Sequence, residues 1–379
     1  MDTHIVELVN VTREVAWLPW AVQYFFLIGL SVGGVLLSLP GCAFGRAGWR
    51  KLGRLTLIVG LTCGLAAPVA LLSDLHQPGR FWHFYVVARP SSWMWWGSLF
   101  VPFYVGALLL YAWACFRPEL AEHGRGDGRI GALYRWAAHG DGSAGLARRA
   151  GLLVLVAAAL VALYTGVEVM AVKARPLWNT PFLPVQFLMT ALAGATGLVL
   201  LLNRTIGTAD RAVEVQANRL LAVFLGGVMA LGALWFAFGL FRLDGAHADA
   251  LDTVARSPAW RVTAVWAVLA TIVPFVIALA RPAGSGLLTG LVAVHGAWMF
   301  RWTVFIDGQT VPKTGAGFYE YALPMGPEGM LGIAGTAGLW VLLLIAVTTV
   351  LPAPREPLAA AAPPPKPSPQ SQGRAVPAE

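Results

Sequence analysis

The side chains best suited to proton chemistry lie where one long apolar run of the sequence ends. In "LLSDLHQPGRFWHFY", Asp74, His76 and Arg80 follow the apolar run and are succeeded at once by aromatic residues. An aromatic belt beside solvated loop residues is common at a membrane edge, and it is the plain explanation of this pattern. An acid and a histidine at such an edge can also accept protons from a bound substrate. We therefore treat this stretch as a candidate proton-handling site.

A second pair of polar side chains lies inside an apolar run rather than at its edge. In "VALYTGVEVM", Tyr164 is about eight residues from the end of the run, which is roughly 12 Å at 1.5 Å per residue. Glu168 follows four residues later, on the same face of a helix. A carboxylic acid inside a membrane span is costly, so it predicts a functional site. The alternative is a structural ion pair with Arg301 or Arg175.

Hydrogen-bonding residues in the first apolar run extend this candidate site. Gln23 and Tyr24 lie about one turn inside that run, although a lone glutamine there can also join two helices. Groups that accept protons and bind two hydroxyls suit the oxidation of a quinol, which has a ring with two oxygens and an apolar tail. We assign catalysis to Asp74, Tyr164 and Glu168. The predicted quinone-binding residues are Gln23, Tyr24, Asp74, His76, Tyr164, Glu168 and Arg175.

The composition of the chain indicates a membrane protein. Of the 379 residues, 57% are apolar and 12% are charged, whereas soluble domains carry about 25% charged residues. The apolar runs lack the alternation of barrel strands and therefore predict helices. A span takes about 20 residues. The predicted fold class is an all-α integral membrane protein with nine transmembrane helices, at about 19–40, 54–73, 95–116, 150–172, 183–203, 219–241, 260–280, 286–306 and 329–351.

The basic residues predict how these spans are oriented. The 27 Lys and Arg residues divide into 10 on the side of the N-terminus and 17 on the opposite side, and the richer side is expected in the cytoplasm. The N-terminal segment 1–18 is thus predicted outside, and the Pro- and Ala-rich tail 352–379 is predicted inside as disordered chain. Nearly every unusual polar and aromatic stretch, including residues 74–96, then lies at the outer face.

The sequence contains few residues that could ligate a redox cofactor. Cys42, Cys63 and Cys115 stand apart without a C-x-x-C motif, so neither an iron–sulfur cluster nor a structural zinc site is expected. A membrane haem usually takes two facing histidines, and only His295 lies well inside a predicted span. We expect no metal centre in this chain. Electrons taken from a quinol would pass directly to another protein at the outer face.

Longer motifs resemble those of the polysulfide-reductase membrane-subunit family, also called the NrfD-like family. The similar stretches are "WLPWAVQYFFLIGL", "DLHQPGRFWHFY", "SSWMWWGSLFVP", "YTGVEVMAVKARPLW", and "RWTVFIDGQTVPK" followed by "YALP" and "GTAGLW". They are spread from residue 17 to about residue 340 and cover nearly all the predicted spans. The linker 117–149 and the Pro-rich tail match no part of this pattern.

The resemblance implies two four-helix bundles, here with an additional ninth helix, in a bacterial inner membrane. It implies an anchor subunit that oxidises menaquinol or ubiquinol near the periplasmic face in anaerobic respiration. The electrons would pass to a ferredoxin-like iron–sulfur subunit and then to a molybdopterin catalytic subunit, both on the periplasmic face. Tetrathionate is the implied terminal acceptor, with polysulfide or another oxyanion as the alternative.

The resemblance also assigns individual residues. It places the quinone-site tyrosine at Tyr164 and the acid after the second span at Asp74. A first-span histidine of some relatives is absent from this chain, and Gln23 or Tyr24 stands near its place. The partner of the second quinol hydroxyl therefore stays open.

Other functions fit the composition less well. An ion-coupled secondary transporter would use Glu168, Asp307 and Arg301, but transporters usually show internal repeats and midplane sites, and this sequence indicates neither. If the protein were a purely structural anchor, quinol would have no effect on the activity of its complex. Proton pumping needs a polar path to the cytoplasm, and the inner halves of the spans supply few ionisable groups. The residues together with the resemblance favour the electron-transfer anchor.

Overall fold

The protein folds as a helical bundle. The structure is a computed structural model, and the regular elements that it describes are all helical. Most of the predicted N-terminal segment 1–18 and the whole predicted tail 352–379 lie outside the described residues. Those residues are 15–126, 128–140, 144–206, 209–311 and 319–351.

Long helices alternate with short ones along the described part of the chain. Short 3₁₀ turns at Ala47–Trp49 and Pro78–Arg80 join neighbouring helices, and a π-helical turn occupies Thr303–Asp307. The α-helices are α1 (Pro19–Cys42), α2 (Arg50–Asp74), α3 (His83–Val86), α4 (Trp93–His123), α5 (Gly128–Ala137), α6 (Ala144–Met170), α7 (Phe182–Thr205), α8 (Arg211–Leu240), α9 (Gly245–Arg256), α10 (Pro258–Ala280), α11 (Gly286–Trp302), α12 (Gly308–Thr310) and α13 (Met330–Val350).

The long helices coincide with the predicted spans. Within the described residues, eight helices are long and apolar enough to cross a membrane, namely α1, α2, α4, α6, α7, α8, α10 and α13. This confirms the predicted all-α integral membrane fold. The remaining predicted span, 286–306, is α11, which has 17 residues and continues through the π-helical turn into α12. The division into nine spans stays a prediction.

The first four-helix bundle consists of α1, α2, α4 and α6, which contact one another in a ring. Helices α1 and α2 approach closely at Gly34. A Cβ on this residue would lie only 2.6 Å from the carbonyl oxygen of Thr56, so the contact requires glycine. One turn away, the Ser31 hydroxyl donates to the carbonyl oxygen of Gly60 at 2.6 Å and pairs with the Tyr104 hydroxyl at 2.7 Å. Small residues and buried hydroxyls thus hold this bundle together.

The second bundle consists of α7, α8, α10 and α11 and joins the first through contacts between α1 and α7. The Asn218 amide on α8 donates to the carbonyl oxygen of Pro282 at 2.9 Å and accepts from the Thr289 hydroxyl at 2.8 Å. Outward-facing residues are apolar, as in Val262 and Val265, which are 71% and 61% exposed. Such a surface suits lipid. Helix α13 packs outside the two bundles, against α1 and α2.

One end of the molecule brings the polar loops together, and we call it the Trp17 face after a tryptophan two residues before α1. The Gln309 side chain accepts from the Trp17 N–H at 3.1 Å and donates to the Trp17 carbonyl oxygen at 2.9 Å. The loop after α6 reaches the same place, where the Trp178 indole donates to the carbonyl oxygen of Val304 at 2.7 Å. The two bundles are therefore joined at this face.

Candidate functional site

Four polar side chains of the first bundle, three buried and one partly buried, form a row near the Trp17 face. We call them the Tyr164 cluster: Tyr24, Tyr164, Glu168 and Asp74. Tyr24 on α1 is fully buried, and Tyr164 and Glu168 on α6 are 3% and 7% exposed. The Tyr164 side chain interacts with Tyr24 on one side and with Glu168 on the other. Glu168 in turn interacts with Asp74 at the end of α2. The row leads from the bundle interior toward the Trp17 face.

Asp74 connects the cluster to the start of α1. Its carboxyl faces the backbone N–H groups of Leu18 and Ala21, where Leu18 supplies no side-chain cap to the helix. A carboxylate is stabilised there by the N-terminal end of the helix dipole. His76, which is exposed, interacts electrostatically with Asp74. Asp74 and His76 thus link the buried groups to solvent.

Two buried polar atoms of the cluster have no hydrogen-bond partner in the described residues. They are the hydroxyl oxygen of Tyr24 and Oδ1 of Asp74. Buried polar atoms in proteins are almost always paired, because an unpaired one costs about 1–3 kcal/mol. The cluster can therefore pair with a bound molecule that carries polar oxygens.

Gly97 makes room for the Tyr164 ring, and the sequence analysis did not single it out. A Cβ on Gly97 would lie 2.5 Å from the Tyr164 hydroxyl oxygen and closer still to two of the ring carbons. Helix α4 can approach α6 here only without a side chain. The glycine of "SSWMWWGSLF" thus has a packing role that its place among tryptophans could have indicated.

Gln23 lies beside Tyr24 in the sequence but points to other helices. Its side-chain oxygen accepts from the Trp298 indole at 2.7 Å, and its amide donates to the carbonyl oxygen of Ile333 at 3.2 Å. These bonds join α1 to α11 and α13, as the helix-joining alternative expects. The structure does not bring Gln23 into the Tyr164 cluster, and its quinone-binding role stays a prediction.

Arg175 also has partners away from the cluster. It donates to the carbonyl oxygens of Gly308 and Gln309 at 3.3 and 3.1 Å and lies 5.0 Å from the Trp178 ring centre. Partial burial lowers the pKa of its guanidinium from the usual value. Arg175 thus fixes the loop after α6 against α12, next to the site rather than in it, and its binding role stays a prediction.

The buried cation Arg301 is not paired with Glu168 in the described residues. It is 2% exposed and donates to the Thr190 hydroxyl and to the carbonyl oxygen of Phe187 at 2.9 Å, both on α7. Its guanidinium also lies 4.7 Å from the Phe187 ring centre. These bonds hold Arg301 against α7 in the second bundle. Glu168 therefore interacts with the Tyr164 cluster and not with Arg301.

Metal ligands are not grouped in the part of the chain that the structure describes. No set of three or more His, Cys, Asp or Glu side chains there could hold a metal ion. The cysteines Cys42, Cys63 and Cys115 are unbridged.

The fold and the cluster define a multi-pass helical membrane protein with buried hydroxyl and carboxyl groups at one face. Comparison with known proteins agrees. The family model described as "Polysulphide reductase, NrfD" matches residues 7–313. The chain belongs to this family, as the sequence motifs predicted.

Individual relatives are named as components of reductases. The protein is 33% identical over 361 residues to the C subunit of tetrathionate reductase from Salmonella typhimurium, and the match spans 92% of this protein and 95% of the relative. It is 28% identical over 326 residues to the C subunit of polysulfide reductase from Wolinella succinogenes, spanning 79% and 96%. It is 24% identical over 322 residues to the C subunit of selenate reductase from Mesobacillus selenatarsenatis, spanning 79% and 76%.

Proposed function

We propose that this protein is the quinol-oxidising membrane anchor subunit of a molybdopterin oxidoreductase complex. The observation that carries the proposal is the Tyr164 cluster, a row of two tyrosines and two carboxyls in which two buried polar atoms are unpaired among the described residues. A quinol offers two hydroxyls that such atoms can bind, and its apolar tail suits a site reached from lipid. The names of the relatives, which are subunits of reductases, support the role of anchor.

The proposed reaction converts a quinol to a quinone by removing two electrons and two protons. One hydroxyl proton passes to Glu168, with the Tyr164 hydroxyl as the hydrogen-bonding link. The second proton passes to Asp74, whose Oδ1 is free to accept it. Since Asp74 lies next to the exposed His76, both protons leave at the Trp17 face.

Both electrons leave the protein at the Trp17 face in this proposal. Their acceptor would be a ferredoxin-like iron–sulfur subunit bound there, which passes them to a molybdopterin catalytic subunit. The Trp17 face would then be periplasmic, with the protein in a bacterial inner membrane and its N-terminus outside. Tetrathionate is the proposed terminal acceptor, because the match to the tetrathionate reductase subunit spans nearly the whole of both proteins. Polysulfide or another oxyanion is the alternative, because other relatives are polysulfide and selenate reductase subunits.

The test compares two electron donors in the assembled complex that carries Tyr164→Phe. Loss of the hydroxyl breaks the link to Glu168, so quinol-dependent reduction of the terminal acceptor should fall about tenfold or more. Reduction by an artificial dye that feeds the catalytic subunit directly should not change. Both rates are measured on the same preparation.

The matched control is Tyr111→Phe. Tyr111 is a buried tyrosine of α4 outside the cluster, bonded to the Ser38 hydroxyl at 3.0 Å. Its loss should leave the ratio of the two activities as in wild type. An equal fall of both activities in Tyr164→Phe, or no fall at all, would refute the role of Tyr164.

A further inference from the structure

A cavity of about 210 Å³ lies in the second bundle, near the Trp17 face but outside the Tyr164 cluster. We call it the Trp235 cavity. Its wall includes three indole rings, those of Trp178, Trp235 and Trp260. An apolar cavity of about 150 Å³ already holds a benzene ring. The Trp235 cavity therefore has the size and the flat apolar surface for an aromatic head group.

Gln186, which lines this cavity, has one polar atom without a hydrogen-bond donor. Gln186 donates through its amide to the carbonyl oxygen of Val228 at 3.3 Å, which fixes the side chain. Its oxygen, Oε1, is buried and unpaired among the described residues. Since an unpaired buried acceptor is costly, this atom favours a ligand that brings a donor.

A row of three polar side chains leads from the cavity to the surface. The Thr180 hydroxyl, on the cavity wall, lies 2.8 Å from Nε2 of His247. Nδ1 of His247 lies 2.5 Å from Oδ2 of Asp244, the N-cap of α9. Thr180 and His247 are 4% and 3% exposed, whereas the Asp244 side chain is about half exposed.

The hydrogen bonds of this row make Thr180 an acceptor toward the cavity. The hydrogen bond with His247 holds the pKa of the Asp244 carboxyl below its usual value, so Asp244 accepts and Nδ1 of His247 carries the proton. In a neutral imidazole Nε2 then accepts, and Thr180 donates its hydroxyl proton to it. The Thr180 oxygen also accepts from the N–H of Phe182 at 3.4 Å and keeps one lone pair for a further donor. Two acceptors, Thr180 and Gln186, thus line the same cavity.

The cavity has an opening on the outer surface of α8. Gly232 lines the cavity, is exposed, and has open space where a Cβ would be. The surrounding surface of α8 is apolar and faces outward, with Leu234 and Phe236 48% and 50% exposed. A ligand with an apolar tail can therefore enter from lipid and leave its tail there.

We propose that the Trp235 cavity is a second quinol site, distinct from the Tyr164 cluster, and that it selects the reduced head group. The two hydroxyls of a hydroquinone can each donate, one to Thr180 and one to Gln186. The oxygens of a quinone only accept, so a quinone would leave Oε1 of Gln186 unpaired and could not donate to Thr180. None of the described residues that line the cavity is charged, so among them the phosphate of a lipid head group has no cation to bind.

The experiment uses photolabelling of the purified full-length protein with a short-chain hydroquinone that carries a diazirine on its tail. We expect label on the peptides that contain Trp235 or Trp260. In a separate sample with the same probe oxidised to the quinone, the yield at subsaturating probe should be about tenfold lower, as expected for two lost hydrogen bonds. Label near Tyr164 is read on a different peptide, so failure at either site is seen independently.

Gly232→Leu places its Cβ in open space at the opening, where the larger side chain should hinder entry and reduce the label on these peptides about tenfold. Gly106→Leu is the matched control, because Gly106 is also exposed in a long helix with open space beside it, and it should leave the label unchanged. Gln186→Leu should lower the preference for the reduced probe toward equal labelling. Equal labelling by both redox forms in wild type, or unchanged labelling in Gly232→Leu, would overturn the proposal.

Discussion

Glu168 is a buried carboxylic acid on α6, one of the helices long and apolar enough to cross a membrane. It is 7% exposed and lies one helical turn from Tyr164, and the described residues give it no ion-pair partner. A buried acid of this kind is costly for a purely structural role. Its neighbours Tyr164 and Asp74 instead form a row suited to proton transfer. The proposed oxidation of quinol therefore depends on the positions of these side chains.

Gly97→Ala tests how strictly the Tyr164 ring must be positioned. The new Cβ would lie 2.5 Å from the Tyr164 hydroxyl oxygen, so the ring must move away from its neighbours. Because a displacement of about 1 Å can cost about a hundredfold in rate, quinol-dependent turnover should fall at least tenfold. The rate is measured in the assembled complex, with the dye-dependent rate as the reference for folding.

Gly106→Ala is the control for this prediction. Gly106 is on the same helix as Gly97 and has open space beside it, so a methyl group should change neither activity. If Gly97→Ala kept the wild-type quinol-dependent rate, the position of the Tyr164 ring would not matter, and its proposed role would be wrong.

The sequence could predict contacts along one helix but not between helices. The spacing of Tyr164 and Glu168 predicted that they share a face, and the structure places them in contact. Gln23 and Tyr24 were assigned to one site, yet successive residues of a helix point in different directions, and Gln23 bonds to Trp298 instead. The contact of Gly97 with Tyr164 joins α4 to α6, and the sequence does not show which neighbouring helix this glycine faces.

At the scale of elements, α8 shows how a helix start is fixed on the side opposite the Trp17 face. The Asp210 carboxyl accepts from the N–H of Ala212 at 2.8 Å and of Val213 at 3.3 Å, and so caps the helix. The Lys51 ammonium donates to the same carboxylate at 2.6 Å. The hydrogen bond with Lys51 is the main reason that the pKa of Asp210 is lowered from 3.8. One residue thus ties α8 to the start of α2.

Asp210→Ala should lower the free energy of unfolding by about 1 kcal/mol at neutral pH, as expected for the loss of an N-cap. Because the folded pKa lies below the usual value of 3.8, the contribution of Asp210 is present above that value and is lost as the pH falls through the folded pKa. The difference between wild type and variant should therefore shrink at acidic pH. Thermal unfolding in detergent measures it.

Asp249→Ala, at an exposed position of α9, is the control for surface charge and should have little effect at any pH. A loss of stability in Asp210→Ala that stays constant down to about pH 2, well below the usual carboxyl pKa, would show that capping by the ionised carboxylate is not the cause.

The presence of the long helices was predictable from hydropathy. Their ends depend on contacts with other parts of the chain, which hydropathy does not show. The third predicted span ends at residue 116, but α4 continues to His123. Arg117 is held there by the carbonyl oxygens of Ala138 and His139 at 3.0 and 2.6 Å. The linker 117–149 contains the short helix α5, and the linker between the predicted spans 219–241 and 260–280 contains the short helix α9.

At the scale of the whole molecule, both proposed quinol sites lie near one face but in different bundles. The loop after α6 links them, because α6 carries Tyr164 and Glu168 and Trp178 of this loop lines the Trp235 cavity. Arg175 holds the same loop against α12. The predicted family fold of two bundles explains this arrangement, but the cavity itself arises from packing between helices and could not be predicted from hydropathy.

Equilibrium binding of a short-chain hydroquinone to the purified protein tests the central claim most directly. The measurement is made in the Gly232→Leu background, so that the Trp235 cavity does not contribute. We predict a single bound quinol for each protein molecule, and an affinity about tenfold weaker when Tyr164→Phe is added. Absence of binding in this background, or an affinity unchanged by Tyr164→Phe, would contradict the assignment of quinol to the Tyr164 cluster.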